Sequence, residues 1–268
     1  MLRNQQEISD LQQKVNGLIG AEDLKRYLYE LAKLYDRLGE NGPPVLYERA
    51  VLLSIKEGDG LDTWIAAITE CWRLILELES IPVKYYELKL PDLLDAGDAR
   101  KTSGRDIVLH TIQEDGILES PYVRRILCVD ITKWIDNVEG QEFRAVLSHL
   151  RQSTEEQFVL FRIPAVDEVT FHRVREAIGW FMNVDPLYCP PFAIEEYMTY
   201  ACMYLERRDV TLKRGAKTAL AKLIQSERRD RNFCGFKTVR RIADDMIYSA
   251  LRRQYGEGAA GRNNRCRT

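Results

Sequence analysis

The chain lacks any CxxC pair and has only three histidines in 268 residues, none at ligand spacing from a cysteine. That scarcity speaks against a zinc centre or a disulfide framework. The six scattered cysteines (Cys71, Cys128, Cys189, Cys202, Cys234, Cys266) read as reduced thiols of a cytoplasmic protein. No stretch reaches ~18 uninterrupted apolar residues, so no membrane-spanning helix is expected. The first residues, Met1 to Glu7, are polar and lack the apolar run of a signal peptide. Nucleophile patterns are missing as well: His110, His149 and His172 stand far apart, with no serine or cysteine motif beside them. What is present is ordinary for a soluble globular chain, with 45% hydrophobic and 30% charged residues.

Charge is unevenly spread. From Arg207 to Thr268, 17 Lys/Arg stand against 6 Asp/Glu, whereas residues 1–206 hold 22 against 35. The pairs Arg207-Arg208, Arg228-Arg229 and Arg240-Arg241 concentrate the positive charge. A solvated helical face is the plain reading of such pairs. A second is a protein interface in which this basic region meets an acidic face. A third, contact with nucleic acid, has no aromatic-rich or recognised binding motif behind it.

Apolar spacing predicts two helices over residues 5–39, interrupted at Gly17 and Gly20 and ended by the Asn41-Gly42-Pro43-Pro44 breaker. Ala50 to Ile55, Val83 to Leu88, Arg124 to Ile131 and Phe158 to Ile163 are short apolar runs suited to buried parallel strands. Helices are expected over 61–78, 103–117, 141–151 and 168–181. Val184 to Ile194, with Pro186, Pro190 and Pro191, reads as an extended link to a second, helical domain. That domain has helices over 194–208, 213–225 and 236–255. The four tryptophans read as core or interface anchors.

Two strand ends carry the candidate site. After the first run comes Lys56-Glu57-Gly58-Asp59-Gly60 and then a helix starting at Leu61-Asp62. Against the phosphate-loop pattern GxxxxGK[ST], Gly58 and Gly60 survive. Ile55 takes the first glycine position, Leu61 the lysine position and Asp62 the Ser/Thr position. A glycine turn between strand and helix explains Gly58 and Gly60 equally well. At the second strand end, Asp130 suits a Mg²⁺-holding carboxylate, but Ile131 follows where a general base would stand. Asp130 is read as a relic capping a strand end beside Asp62, two carboxylates without a phosphate making a weak Mg²⁺ site.

Val15-Asn16-Gly17-Leu18-Ile19-Gly20-Ala21-Glu22-Asp23-Leu24-Lys25 resembles the Leu-Ile-Gly-Leu-Glu-x-Val-Lys segment that precedes the core of AAA+ ATPases, above all in the CbxX/CfxQ group of SpoVK-like proteins and red-type Rubisco activase. The Pro91-Asp92-Leu93-Leu94 stretch and the Phe233-to-Arg241 segment are similar to that group too. The resemblance implies an α/β, P-loop NTPase-like (AAA+) fold, with a parallel five-stranded sheet core flanked by helices and followed by a helical lid domain. The implied boundaries are a lead-in over 1–42, a core over 43–193, a lid over 194–255 and a disordered tail over 256–268. Lys237 stands at the sensor arginine position of the lid. Asp95 to Arg100 lacks the aromatic pore residue, Phe161-Arg162-Ile163 lacks a polar sensor, and Ala177 to Phe181 lacks the arginine finger, with Arg173 and Arg175 lying earlier.

The resulting expectation is a pseudo-ATPase without catalytic residues, metal or cofactor, working by association with an AAA+ paralogue or with itself. One alternative is a weak ATP- and Mg²⁺-binding remodelling ATPase using Lys56, Lys237 and Asp130. The other is a nucleic-acid-associated AAA+ relic.

Overall fold

Strands buried on both faces need continuous apolar runs; Ala50 to Ile55 meets that demand without a charged residue, and Ile126 to Val129 and Phe158 to Phe161 are uncharged stretches within longer runs. A computed structural model of the protein describes residues 2–38, 49–76, 83–89, 124–152 and 157–263. Five parallel strands form one sheet: β1 (Arg49–Ser54), β2 (Val83–Lys89), β3 (Arg124–Asp130), β4 (Gln157–Ile163) and β5 (Asn183–Tyr188), in the order β2-β3-β4-β1-β5. Every neighbouring pair of strands is parallel. The α/β class with a five-stranded parallel sheet flanked by helices is the architecture of the protein.

Helices α1 (Leu2–Asn16), α2 (Glu22–Leu38) and α3 (Leu61–Leu76) pack together on one face. Between α1 and α2 the chain turns through Gly20 and Ala21, both left-handed, and Ala21 carries φ 61°. Trp72 of α3 stacks on Phe158 of β4 with ring centroids 4.4 Å apart, and its indole N–H donates to the Tyr27 hydroxyl of α2 at 3.2 Å. Burial holds the Tyr27 phenol well above the usual tyrosine range, with the nearby Asp185 carboxylate adding to it.

The other face carries a 3₁₀ helix (Thr132–Asn137), α4 (Gln141–Gln152) and α5 (Glu168–Gly179). Leu52, Val129 and Phe161 from three strands meet Trp134, Phe143, Leu147, Phe171 and Val174 in one apolar cluster. Asp167 starts α5 by accepting the Thr170 backbone N–H at 2.8 Å, and that bond holds its carboxyl below the usual range.

By contact density the chain forms two units. The first comprises Met1–Lys56 and Leu61–Pro191, and the second comprises Glu57–Gly60 and Phe192–Thr268. The helices of residues 1–42 therefore group with the sheet, because α1 and α2 pack on α3. The second unit holds α6 (Ile194–Glu206), α7 (Arg214–Glu227) and α8 (Gly235–Asn263). Phe192, Tyr197, Tyr200, Phe233 and Phe236 form its aromatic centre, with Tyr197 edge-on to Phe233 at 5.4 Å and to Phe236 at 5.0 Å.

Two expectations change. The Val184-to-Ile194 link begins as β5, which pairs with β1 through the register Leu53↔Leu187. Its Asn-Val-Asp-Pro-Leu-Tyr sequence conceals this, since an edge strand is half solvated and tolerates proline. The tail expected from residue 256 continues α8 as far as Asn263. Adding a residue to an existing helix gains one hydrogen bond without a new nucleation cost, which favours extension through Ala259-Ala260. The helix expected over 103–117, the 91–100 segment and His110 lie outside the described residues. Among the described residues, no helix is long and apolar enough to cross a membrane.

Candidate functional site

In open parallel sheets, ligands gather at the carboxyl ends of the strands, so the ends of β1, β3 and β4 are where chemistry would sit. The end of β1 is closed on both sides. The Ser54 hydroxyl donates to the Pro164 carbonyl at 3.0 Å, and the Cys189 N–H donates to the Ser54 carbonyl at 2.9 Å. Ile55 continues the ladder, its N–H reaching the Ile163 carbonyl at 3.3 Å, and its side chain is buried. Leu61 is half-buried and Asp62 exposed in the first turn of α3, where the helix dipole favours the Asp62 charge.

At the end of β3, the Asp130 carboxylate is fully engaged. One oxygen accepts the Thr132 backbone N–H at 3.0 Å, and the other faces the Arg162 guanidinium at 3.0 Å. Arg162 also reaches Glu87 at 3.3 Å, so one cation from β4 joins carboxylates on β3 and β2. Register dictates the first pair, since Asp130 and Arg162 are Cα partners across the β3–β4 ladder. The charge partner of Asp130 is therefore a cation on the adjacent strand. Ile131 is fully buried and leads into the 3₁₀ helix, its N–H bonded to the Arg162 carbonyl at 3.2 Å. A buried hydrocarbon there cannot accept a proton.

The glycine turn is held in the second unit. Asp59 is buried at 2% exposure, and the Tyr197 hydroxyl lies 2.9 and 3.1 Å from its two carboxylate oxygens. Gly58 has φ 87°, and a Cβ built there would lie 2.3 Å from the Cys234 carbonyl oxygen. Gly235, at φ 48° and opening α8, would place a Cβ 1.8 Å from an Asp59 oxygen. The Cys234 thiol lies 3.7 Å from the Glu57 carbonyl. Gly60 has φ 93° and is half-buried. Lys237, in the first turn of α8, is exposed, and its backbone N–H donates to the Cys234 carbonyl at 3.1 Å. Sequence reasoning passed over Asp59 and Arg162; only Gly58-Asp59-Gly60 as a turn was legible.

The six candidate interface arginines are all exposed, but they are not equivalent. Arg208 stacks on the Tyr204 ring at 3.7 Å, and Arg240 donates to the Tyr204 hydroxyl at 3.2 Å. Arg241 bridges to Glu227 at 3.2 Å. Arg207, Arg228 and Arg229 have no side-chain ion pair among the described residues. Trp64, Trp72 and Trp134 are buried, whereas Trp180, just past the end of α5, is 84% exposed. Arg173 donates to the Ile135 carbonyl at 3.1 Å, while Arg175 lines an open groove of about 420 Å³ with Arg49 and His172. That groove lies at the amino end of β1 and β5, where Arg49 pairs with Asp185, its Nε 2.9 Å from the carboxylate. No group of three or more metal-ligating side chains occurs among the described residues.

No family model and no curated protein matches the chain. Solved structures of low similarity include a replication initiator DnaA bound to AMPPCP and single-stranded DNA (11% identity, 90% of this chain, 67% of that one, TM-score 0.44). The C. elegans PCH-2 structure shows 12% identity over 85% of this chain and 68% of that one, with TM-score 0.42. The Aeropyrum pernix ORC2 protein in its ADP form shows 17% identity, 85% coverage of this chain and 63% of its own, with TM-score 0.46. At this level they transfer no activity; the fold class stands on the sheet itself.

Proposed function

We propose that the chain is a catalytically degenerate AAA+-like module, a pseudo-ATPase that acts by associating with a protein partner, either an active AAA+ paralogue or further copies of itself. The observation that carries this reading is the Asp130–Arg162 pair. A carboxylate that would hold Mg²⁺ instead spends both oxygens on groups of its own chain. A metal would have to displace a guanidinium from a site that is 14% exposed on the Asp130 side. Ile131 offers no base, Leu61 no phosphate-directed charge, and Asp62 at the start of α3 opposes an anion electrostatically. The resemblance of the lead-in segment to the CbxX/CfxQ group supports the family assignment. The five described cysteines are all free thiols, which suits the cytoplasm.

Calorimetric titration with ATP and Mg²⁺ tests the reading. The expected outcome is no binding heat and no thermal shift at millimolar nucleotide. Saturable binding accompanied by phosphate release would replace the pseudo-ATPase with a working enzyme.

A further inference from the structure

The turn between β1 and α3 contains its own buried carboxyl group. Asp59 is a carboxylate at 2% exposure, its two oxygens 2.9 and 3.1 Å from the Tyr197 hydroxyl, and one of them lies against the Cα of Gly235 at the start of α8. A helix N-terminus attracts negative charge, because its first N–H groups have no intrahelical acceptor. Nothing larger than hydrogen fits on Gly235, since an added Cβ would overlap the carboxylate at 1.8 Å. The same holds on the opposite side, where Gly58 abuts the Cys234 carbonyl. Both glycines adopt left-handed backbone, which lets the two chain segments approach at backbone distance. The ring of Tyr197 is fixed by Phe192, Phe233 and Phe236, so its hydroxyl is presented to Asp59 without freedom to turn away.

We infer that Asp59 is a built-in anionic latch: its carboxylate occupies the seat formed by the Tyr197 hydroxyl and the first turn of α8, and holds residues 57–60 in the helical unit with no ligand bound. In a loop that serves a phosphate, closure depends on the arriving anion. Here the carboxyl group is covalently part of the loop, so closure needs no arriving ligand. This inference goes beyond the pseudo-ATPase reading and survives or fails separately from it, because it concerns ligand-independent closure rather than hydrolysis.

Hydrogen exchange with mass spectrometry on the full chain tests it, comparing Asp59→Ala, Asp59→Asn and Tyr197→Phe with the unaltered protein. Losing a buried charge-assisted hydrogen bond should raise local opening by roughly ten- to a hundredfold. Peptides covering 57–60 and 233–238 in Asp59→Ala should therefore exchange faster by about that factor. Tyr197→Phe, which keeps the ring in its aromatic surroundings, should move the same peptides in the same direction, and it serves if Asp59→Ala does not fold. Asp59→Asn should fall between, retaining an acceptor without the charge. Adding sodium formate should restore protection in Asp59→Ala and leave the unaltered protein unchanged. Equal exchange in all four proteins, or formate acting equally on the unaltered protein, would overturn the latch. ATP binding by the unaltered protein in the calorimeter would defeat the pseudo-ATPase reading and leave these exchange results standing.

Discussion

Arg162 and Asp130 are Cα partners on adjacent strands, and their side chains meet at 3.0 Å where those strands end. Glu87, from the strand beyond, shares the same guanidinium at 3.3 Å. Sheet register thus assembles a carboxylate–guanidinium–carboxylate triad at the end of the sheet where a parallel fold presents ligands. An arginine suits the task because its planar fork serves two acceptors at once.

Removing the shared cation should cost more than removing either carboxylate. Arg162→Met leaves Asp130 largely buried without its counter-charge, for roughly 1–3 kcal/mol of lost stability. Glu87→Gln, at 39% side-chain exposure, should cost under about 1 kcal/mol. Urea unfolding midpoints decide this, and equal midpoints for the two variants would deny the triad its asymmetry.

Restoring the loop alone should not restore chemistry. Leu61→Lys with Asp62→Thr still lacks a base at Ile131, and Asp130 remains bound to Arg162. Adding Ile131→Glu places a carboxylate at a position with no exposure, which should lower stability by several kcal/mol. A phosphate-release assay should read background for both variants, and turnover by the double variant would refute the account of the site.

Glycine-to-alanine substitutions should divide sharply by place. Gly58→Ala meets the Cys234 carbonyl at 2.3 Å in a left-handed backbone, and roughly 2–4 kcal/mol of destabilisation is expected. Gly215→Ala, with nothing within 4 Å and a helical backbone, should instead stabilise by up to about 1 kcal/mol. Thermal melting of the two proteins gives opposite signs if the packing is as described.

Alkaline pH should weaken the fold through its thiols. Burial pushes Cys71 up to about 12 and Cys128 up to about 11. An unfolded thiol ionises near ~8.5, so above that pH the unfolded chain loses protons that the folded chain retains. Stability is therefore full below about pH 8.5 and falls as pH rises towards the folded values, by up to about 1.4 kcal/mol per pH unit for each thiol. Urea midpoints from pH 8 to 11 should decline, and the Cys71→Ala, Cys128→Ala double variant should decline less steeply.

Association should depend on arginines that have no ion-pair partner among the described residues. Arg228→Glu with Arg229→Glu reverses charge without breaking a described ion pair, whereas changing Arg241 also breaks its bridge to Glu227. Light scattering at physiological salt should show a smaller mass for the double reversal than for the unaltered protein. An identical mass would remove the basic helices from the interface.

Much of the fold could be read from periodicity. Ala50 to Leu53 and Phe158 to Phe161 announce buried strands by their unbroken apolar character, and α2 and α4 by their one-sided apolar spacing. β5 escaped because half of it faces solvent and Pro186 interrupts it. The Asp130–Arg162 pair escaped because register between distant segments has no local signature. Asp59 escaped for another reason: an aspartate between two glycines has the composition of an exposed turn, and only tertiary packing buries it.

The Asp59–Tyr197 bond joins residues 138 positions apart in the sequence, yet both belong to the same compact unit. The helical unit is therefore not a detachable module. A fragment starting after Pro191 would carry Tyr197 and Gly235 but leave behind the four residues that fill the space between them. Such a piece would lose the Asp59–Tyr197 hydrogen bond and the packing of Gly58 on Cys234. Any rearrangement that preserved the helical unit would have to carry the turn after β1 along with it.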